Sequence, residues 1–133
     1  MKNAVADTHA LIWYLTTDRR LGQNADAFFK ACDDGAITIF IPTICLVEII
    51  YLVERGTVPA ELRHALTEAL GRGRTGLRII DLTTEIVDHV ATIVKRDVPE
   101  MPDRIIAATA LFLNVPVLTR DHRIQQSSVE TIW

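Results

Sequence analysis

Ala4-Val5-Ala6-Asp7-Thr8-His9-Ala10-Leu11-Ile12-Trp13-Tyr14-Leu15 is the stretch on which the fold turns. Val5 and Ala6 close a short buried strand, and the apolar run from Ala10 to Leu15 reads as a helix with Asp7 or Thr8 near its N-cap. An acid is thereby set at the carboxyl end of a strand. The alternation recurs downstream. Ile37 to Ile41 is a β-branched strand, and Pro42 suits the first turn of a helix that runs to about Arg55 and stops at Gly56. Leu77 to Leu82 is a strand, followed by a helix from Thr84 to Lys95 with Ile86, Val90, Ile93 and Val94 inward. Pro102 to Leu113 is a helix, Val115 to Thr119 a last parallel-type strand, and Ser128 to Trp133 a short edge strand. Ala25, Phe28, Phe29 and Cys32 mark an amphipathic helix that stops at Gly35; Leu62, Ala65, Leu66, Ala69 and Leu70 mark another after Pro59. Short apolar strands alternating with helices predict an α/β fold, a three-layer α/β/α sandwich on a mostly parallel sheet.

The chain has 133 residues, 49% hydrophobic and 23% charged, which suits one domain over residues 1–133 with a substantial core. The N-terminus reaches Asp7 without the long apolar run of an export signal. The most hydrophobic stretch, Ala36 to Val53, is broken by Pro42 and carries Glu48, so it reads as core rather than membrane span. Cys32 and Cys45 sit on apolar stripes without ligand spacing, which predicts buried free thiols in a reducing, cytoplasmic setting.

Four acids come from separate parts of this pattern. Asp7 and Asp121 directly follow predicted strands, Asp103 lies in the first turn of a helix, and Glu48 lies in the middle of another. In open α/β sheets ligands bind outside the carboxyl ends of the strands, so these residues can meet there in the folded state. Each has an ordinary alternative: Asp7 as a helix cap, Asp103 as a complement to a helix dipole, Asp121 as a turn residue. Glu48 stands apart, because Ile44, Cys45, Leu46 and Val47 precede it and Ile49, Ile50, Tyr51 and Leu52 follow. A carboxylate among such neighbours is neutralised, paired or bound to a cation. Four converging carboxylates repel one another unless a cation lies between them, and an all-oxygen set selects Mg²⁺ or Mn²⁺ over zinc. Such an ion binds phosphate oxygens and activates water, which points to phosphodiester hydrolysis.

These residues also resemble the motifs of a known family. Asp7-Thr8-His9-Ala10-Leu11-Ile12-Trp13, the mid-helix Glu48, Pro102-Asp103-Arg104-Ile105-Ile106-Ala107-Ala108-Thr109-Ala110 and Leu118-Thr119-Arg120-Asp121 look like those of PIN-domain nucleases, in the same order and over nearly the whole chain. Within that family the compact single domain is most similar to VapC-type toxins of toxin–antitoxin pairs. The resemblance implies an RNA endonuclease, usually dimeric, held inactive by a cognate antitoxin. It assigns Asp7, Glu48, Asp103 and Asp121 to the acidic positions, and Thr8 and Thr119 to the hydroxyl positions that support them. Glu100 falls where many members carry another acid, or else caps the helix. Thr43-Ile44-Cys45-Leu46-Val47 lacks the serines many members have before the glutamate. His9 and His122 adjoin ligand candidates but gain no general-base role from the resemblance.

A net charge of -3 is unusual for a protein that handles RNA, but with the four proposed ligands set aside 13 acids stand against 14 Lys plus Arg. Arg72, Arg74 and Arg78, on and beside the Gly71–Gly76 loop, form a candidate RNA-binding patch or else a solvated connector. That loop is no P-loop, since no Gly-Lys-Ser/Thr follows. The competing classes are a Mg²⁺-binding signalling module, which lacks its lysine after the last strand, and a protein-binding module without nuclease activity. A phosphatase with an Asp-x-Asp start is disfavoured by His9.

Overall fold

The computed structural model describes residues 2–71, 73 and 75–133. Five strands, β1 (Ala4–Ala6), β2 (Ile39–Pro42), β3 (Leu77–Ile80), β4 (Val117–Leu118) and β5 (Thr131–Ile132), form one sheet in the order β3-β2-β1-β4-β5. All four pairings are parallel, with Ala4 opposite Ile39, Val5 opposite Val117, Ile39 opposite Leu77 and Val117 opposite Thr131. Seven helices accompany the sheet among the described residues: α1 (Thr8–Leu15), α2 (Gln23–Asp33), α3 (Thr43–Glu54), α4 (Glu61–Leu70), α5 (Thr84–Val90), α6 (Met101–Leu113) and α7 (His122–Gln125).

Ala4, Val5 and Ala6 are each fully buried, so the central strand is covered on both faces, as a parallel sheet requires. The sheet's covers are α2 and α3 on β2, α4 on β3, and α6 across β1, β2 and β4. The result is the α/β/α sandwich expected from the alternation of strands and helices. Both cysteines are buried and free, as their stripes predicted. Among the described residues no helix is long and apolar enough to cross a membrane.

Some boundaries differ from the sequence reading, for local reasons. The helix expected from Thr84 to Lys95 ends at Val90, and Val94, expected inward, is 53% exposed. Beyond Val90 the chain makes short turns: Thr92 donates its N–H and its hydroxyl to the His89 carbonyl, at 3.0 and 2.7 Å. The Arg104 guanidinium then takes the Val90 and Ile93 carbonyls at 3.0 Å each, so partners other than a fourth-residue N–H satisfy the helix end. Strand β3 stops at Ile80 rather than Leu82, and β4 holds only Val117 and Leu118. Pro42 is the last residue of β2 and the N-cap of α3, rather than part of the helix's first turn. Helix α3 is less enclosed than its composition suggests: Cys45 and Ile49 are buried, but Val47 and Tyr51 are 46% and 59% exposed.

Candidate active site

The sheet order reverses direction at β1: β2 and β3 extend to one side, β4 and β5 to the other. The segments leaving β1 and β4 therefore diverge and open a crevice at the carboxyl ends of the strands. Asp7 follows β1 directly, and Thr119-Arg120-Asp121 follows β4. Helix α6 contributes Asp103 from its first turn, and α3 contributes Glu48. A cleft of about 430 Å³ results, lined by the carboxylates of Asp7, Glu48, Glu100, Asp103 and Asp121, and by Thr8, His9, Trp13, Arg20 and Arg120. The four acids scattered along the sequence, and Glu100 with them, share one concavity.

Backbone and hydroxyl donors fix the acids. Asp7 is buried and is the N-cap of α1: one carboxylate oxygen accepts the Ala10 N–H at 2.7 Å, and the other accepts the hydroxyl of fully buried Thr119. The Thr119 oxygen in turn accepts the Asp121 N–H at 2.9 Å. Asp121 caps α7, accepting the Arg123 and Ile124 N–H groups on Oδ1 at 2.9 and 3.1 Å. Glu48 accepts the Thr8 hydroxyl at 2.5 Å. That contact supplies the hydroxyl support that the segment before Glu48 lacks. The capping role weighed from the sequence for Asp7 is thus real, Asp121 is a helix cap rather than the turn residue weighed for it, and both roles coexist with convergence on the cleft. Glu100 occupies the N-cap position of α6, but its side chain makes no capping hydrogen bond.

A model of the PIN domain family matches residues 4–129. The chain belongs to the PIN domain family. Its fold is shared by the VapBC2 complex of Rickettsia felis bound to a fragment of its promoter DNA, at a TM-score of 0.72 and 16% identity over 98% of this chain and 97% of that one. DNA-bound VapBC from Salmonella typhimurium is similar at 0.68, with 17% identity over 99% and 98% of the two chains. A toxin–antitoxin complex from Klebsiella pneumoniae is similar at 0.66, with 21% identity over 98% and 96%. A comparison with curated protein sequences finds no match.

The acidic wall of this PIN domain is electrostatically strained. Burial, then the nearby charges of Asp121, Glu48, Glu100 and Asp7, push the Asp103 carboxyl up to about 7. Burial also raises Asp7, against the lowering effect of its bonds from Thr119 and Ala10. Beneath the acids, burial raises the Cys45 thiol and keeps it neutral, with Sγ 3.7 Å from the Ala6 carbonyl, so it is no nucleophile. Among the described residues no three or more His, Cys, Asp or Glu side chains stand close enough together to hold a metal ion between them. Mg²⁺ asks for less than a cage, because it keeps several waters and binds through one or two carboxylates. Burial is the larger cause of the Asp103 rise; the second, repulsion among the acids, is one that a hard cation relieves, and the all-oxygen donor set of this PIN domain fits such an ion.

Of the candidate basic patch, Arg78 alone lies within the described residues. Arg72 and Arg74 lie outside the described residues. Arg78 is exposed near the start of edge strand β3, where its guanidinium donates to the Thr75 and Leu77 carbonyls at 2.8 and 2.7 Å. It is not part of the cleft wall. Arg20 and Arg120 are, and both guanidinium groups lie over the Trp13 ring, at 4.8 and 4.4 Å from its centroid. Arg120 adjoins Asp121 in sequence, which is a usable signal; Arg20, in an irregular turn, gives none. His9 is exposed at the cleft with its ring 5.6 Å from that of Trp13, whereas His122 is exposed and is not part of the lining.

Proposed function

We propose that this PIN domain is a metal-dependent endoribonuclease, the VapC-type toxin of a toxin–antitoxin pair. The observation that carries the proposal is the meeting of Asp7, Glu48, Asp103 and Asp121 in one cleft at the point where the sheet order reverses. Asp7, Glu48, Asp103 and Asp121 would hold Mg²⁺ or Mn²⁺, with Glu100 at the rim. When bound, such an ion supplies a water-derived nucleophile and stabilises the leaving alkoxide of a phosphodiester. Thr119 and Thr8 orient the Asp7 and Glu48 carboxylates through their hydroxyls, so the two acids keep their aim while no cation is bound. Asp103, raised by burial first and by its acidic neighbours second, would bind such an ion as the carboxylate.

The partners proposed are RNA as substrate, a cognate antitoxin protein that masks the cleft, and a second copy of the chain, all in the cytoplasm. The similar folds occur in toxin–antitoxin complexes, which supports the antitoxin. Support for a homodimer comes from exposed apolar side chains on the packed pair α5 and α6: Val87, Met101 and Phe112 are 49%, 64% and 41% exposed. The test of the toxin reading is expression without a partner, with growth recorded and cellular RNA ends mapped. Wild type should slow growth and leave discrete new ends, and Asp121→Asn should do neither. Equal growth arrest by both proteins would contradict the assignment.

A further inference from the structure

The cleft lining holds two chemically distinct sets of residues, and the acids account for one. The other is built on Trp13, a residue of α1 only 5% exposed, whose ring meets the Trp133 ring edge-on at 5.7 Å. Arg20 lies over this indole and is held in plane by Asp18, through Nε to Oδ1 at 3.0 Å and Nη2 to Oδ2 at 2.8 Å. Arg120 lies over the same ring and is exposed. Among the described residues it has no carboxylate within 4.0 Å; its charge reaches Asp18 from further off and helps to hold that carboxyl low, while five carboxylates line the same cleft.

A cation present merely to neutralise the acids would pair with them. Held instead against an aromatic face, Arg120 keeps its guanidinium fork open, and the stacking lowers the cost of fixing a long side chain. An open guanidinium fork stacked beside a group of carboxylates matches a phosphate oxygen pair. We propose that Arg120, assisted by Arg20 and shelved on Trp13, grips the RNA backbone at a phosphate beside the scissile one; this rests on the nuclease reading of the same cleft. The arginines bind and position substrate, and the acids of the same cleft act at the bond to be cut. The overall charge of -3 is then no obstacle, because the phosphate contact is made by two arginines placed in the cleft itself.

Two variants separate this role from simple cover for the tryptophan. Arg120→Gln keeps a planar group on the ring and removes the charge; Arg120→Lys keeps the charge and loses the fork. Binding of a short fluorophore-labelled single-stranded RNA is measured in chelator over a salt series, and cleavage of the same RNA is followed in Mn²⁺. Arg120→Gln should weaken binding and raise KM about tenfold, the scale of one charge-assisted hydrogen bond, with a smaller change in kcat. Its log–log salt slope should shrink by about 0.7, one phosphate contact on a single strand. Arg120→Lys should keep the slope while recovering only part of the affinity. Unchanged affinity, slope and KM in Arg120→Gln would overturn the proposal, as would a lowered Tm with KM unmoved. RNA binding that depends on Arg120 in a wild type that cuts nothing would leave the phosphate wall standing and sink the nuclease. A wild type that neither binds nor cuts would sink both.

Discussion

Asp7 carries the account at the scale of a single residue, because it is at once a helix cap and a member of the acidic wall. The two roles respond oppositely to an amide. Asn caps a helix about as well as Asp, so in chelator Asp7→Asn should melt at or above the wild-type temperature, since part of the carboxylate repulsion is gone. In Mn²⁺ at a hundred times its Kd, wild type should gain about 2.7 kcal/mol and the variant much less. Paired melts in the two buffers check this, and equal metal-induced shifts would leave Asp7 as a cap only. Asp103 gives the pH dependence. Its carboxyl rises from 3.8 to about 7 on folding, so between those values the native state holds a proton that the unfolded chain has released. The metal-free protein therefore loses stability as pH rises through this window, by on the order of 1–2 kcal/mol with solvent screening at this half-buried position. Denaturant unfolding in chelator at pH 5 and pH 8 should show the loss in wild type, and Asp103→Asn should show less of it.

Among the elements, the strands and their order of appearance were legible because apolar β-branched runs and the residues after them obey local rules. Asp7, Asp103 and Asp121 could be placed at element ends for the same reason. What was not legible depends on partners distant in sequence. The helix after Thr84 carries periodic apolar residues as far as Val94, yet it ends at Val90, where Arg104 of α6 takes the carbonyls. The arginines of the cleft were missed likewise: Arg20 and Arg120 are a hundred positions apart and meet over Trp13. Gly76, at the end of the Gly71–Gly76 loop, is a close contact between the start of β3 and the chain entering β2. A Cβ there would stand 1.8 Å from the Ile37 carbonyl oxygen, while the Gly76 carbonyl accepts the Ile39 N–H at 3.1 Å. Gly76→Ala should cost at least about 2 kcal/mol by forcing β2 and β3 apart. Gly73→Ala, with nothing within 4 Å of its Cβ, should melt like wild type.

For the molecule as a whole, the proposed homodimer and the proposed chemistry make separate claims. Sedimentation at micromolar concentration should find a dimer that Phe112→Asp shifts towards monomer, since the substitution sets a charge in the apolar surface of α5 and α6. A monomeric wild type would remove the dimer and leave the cleft untouched. The central claim is that the carboxylates gathered at the reversal of the sheet cut RNA with the help of a divalent ion. Its most direct measurement is incubation of long single-stranded RNA with wild type and Asp103→Asn, each shown to be folded, in Mn²⁺, in Mg²⁺ and in chelator, with product ends mapped. The account predicts discrete cuts by wild type in either ion, none in chelator, and a loss of at least about a hundredfold in rate for Asp103→Asn. Undiminished cutting by wild type in chelator, or by Asp103→Asn in Mn²⁺, would contradict it.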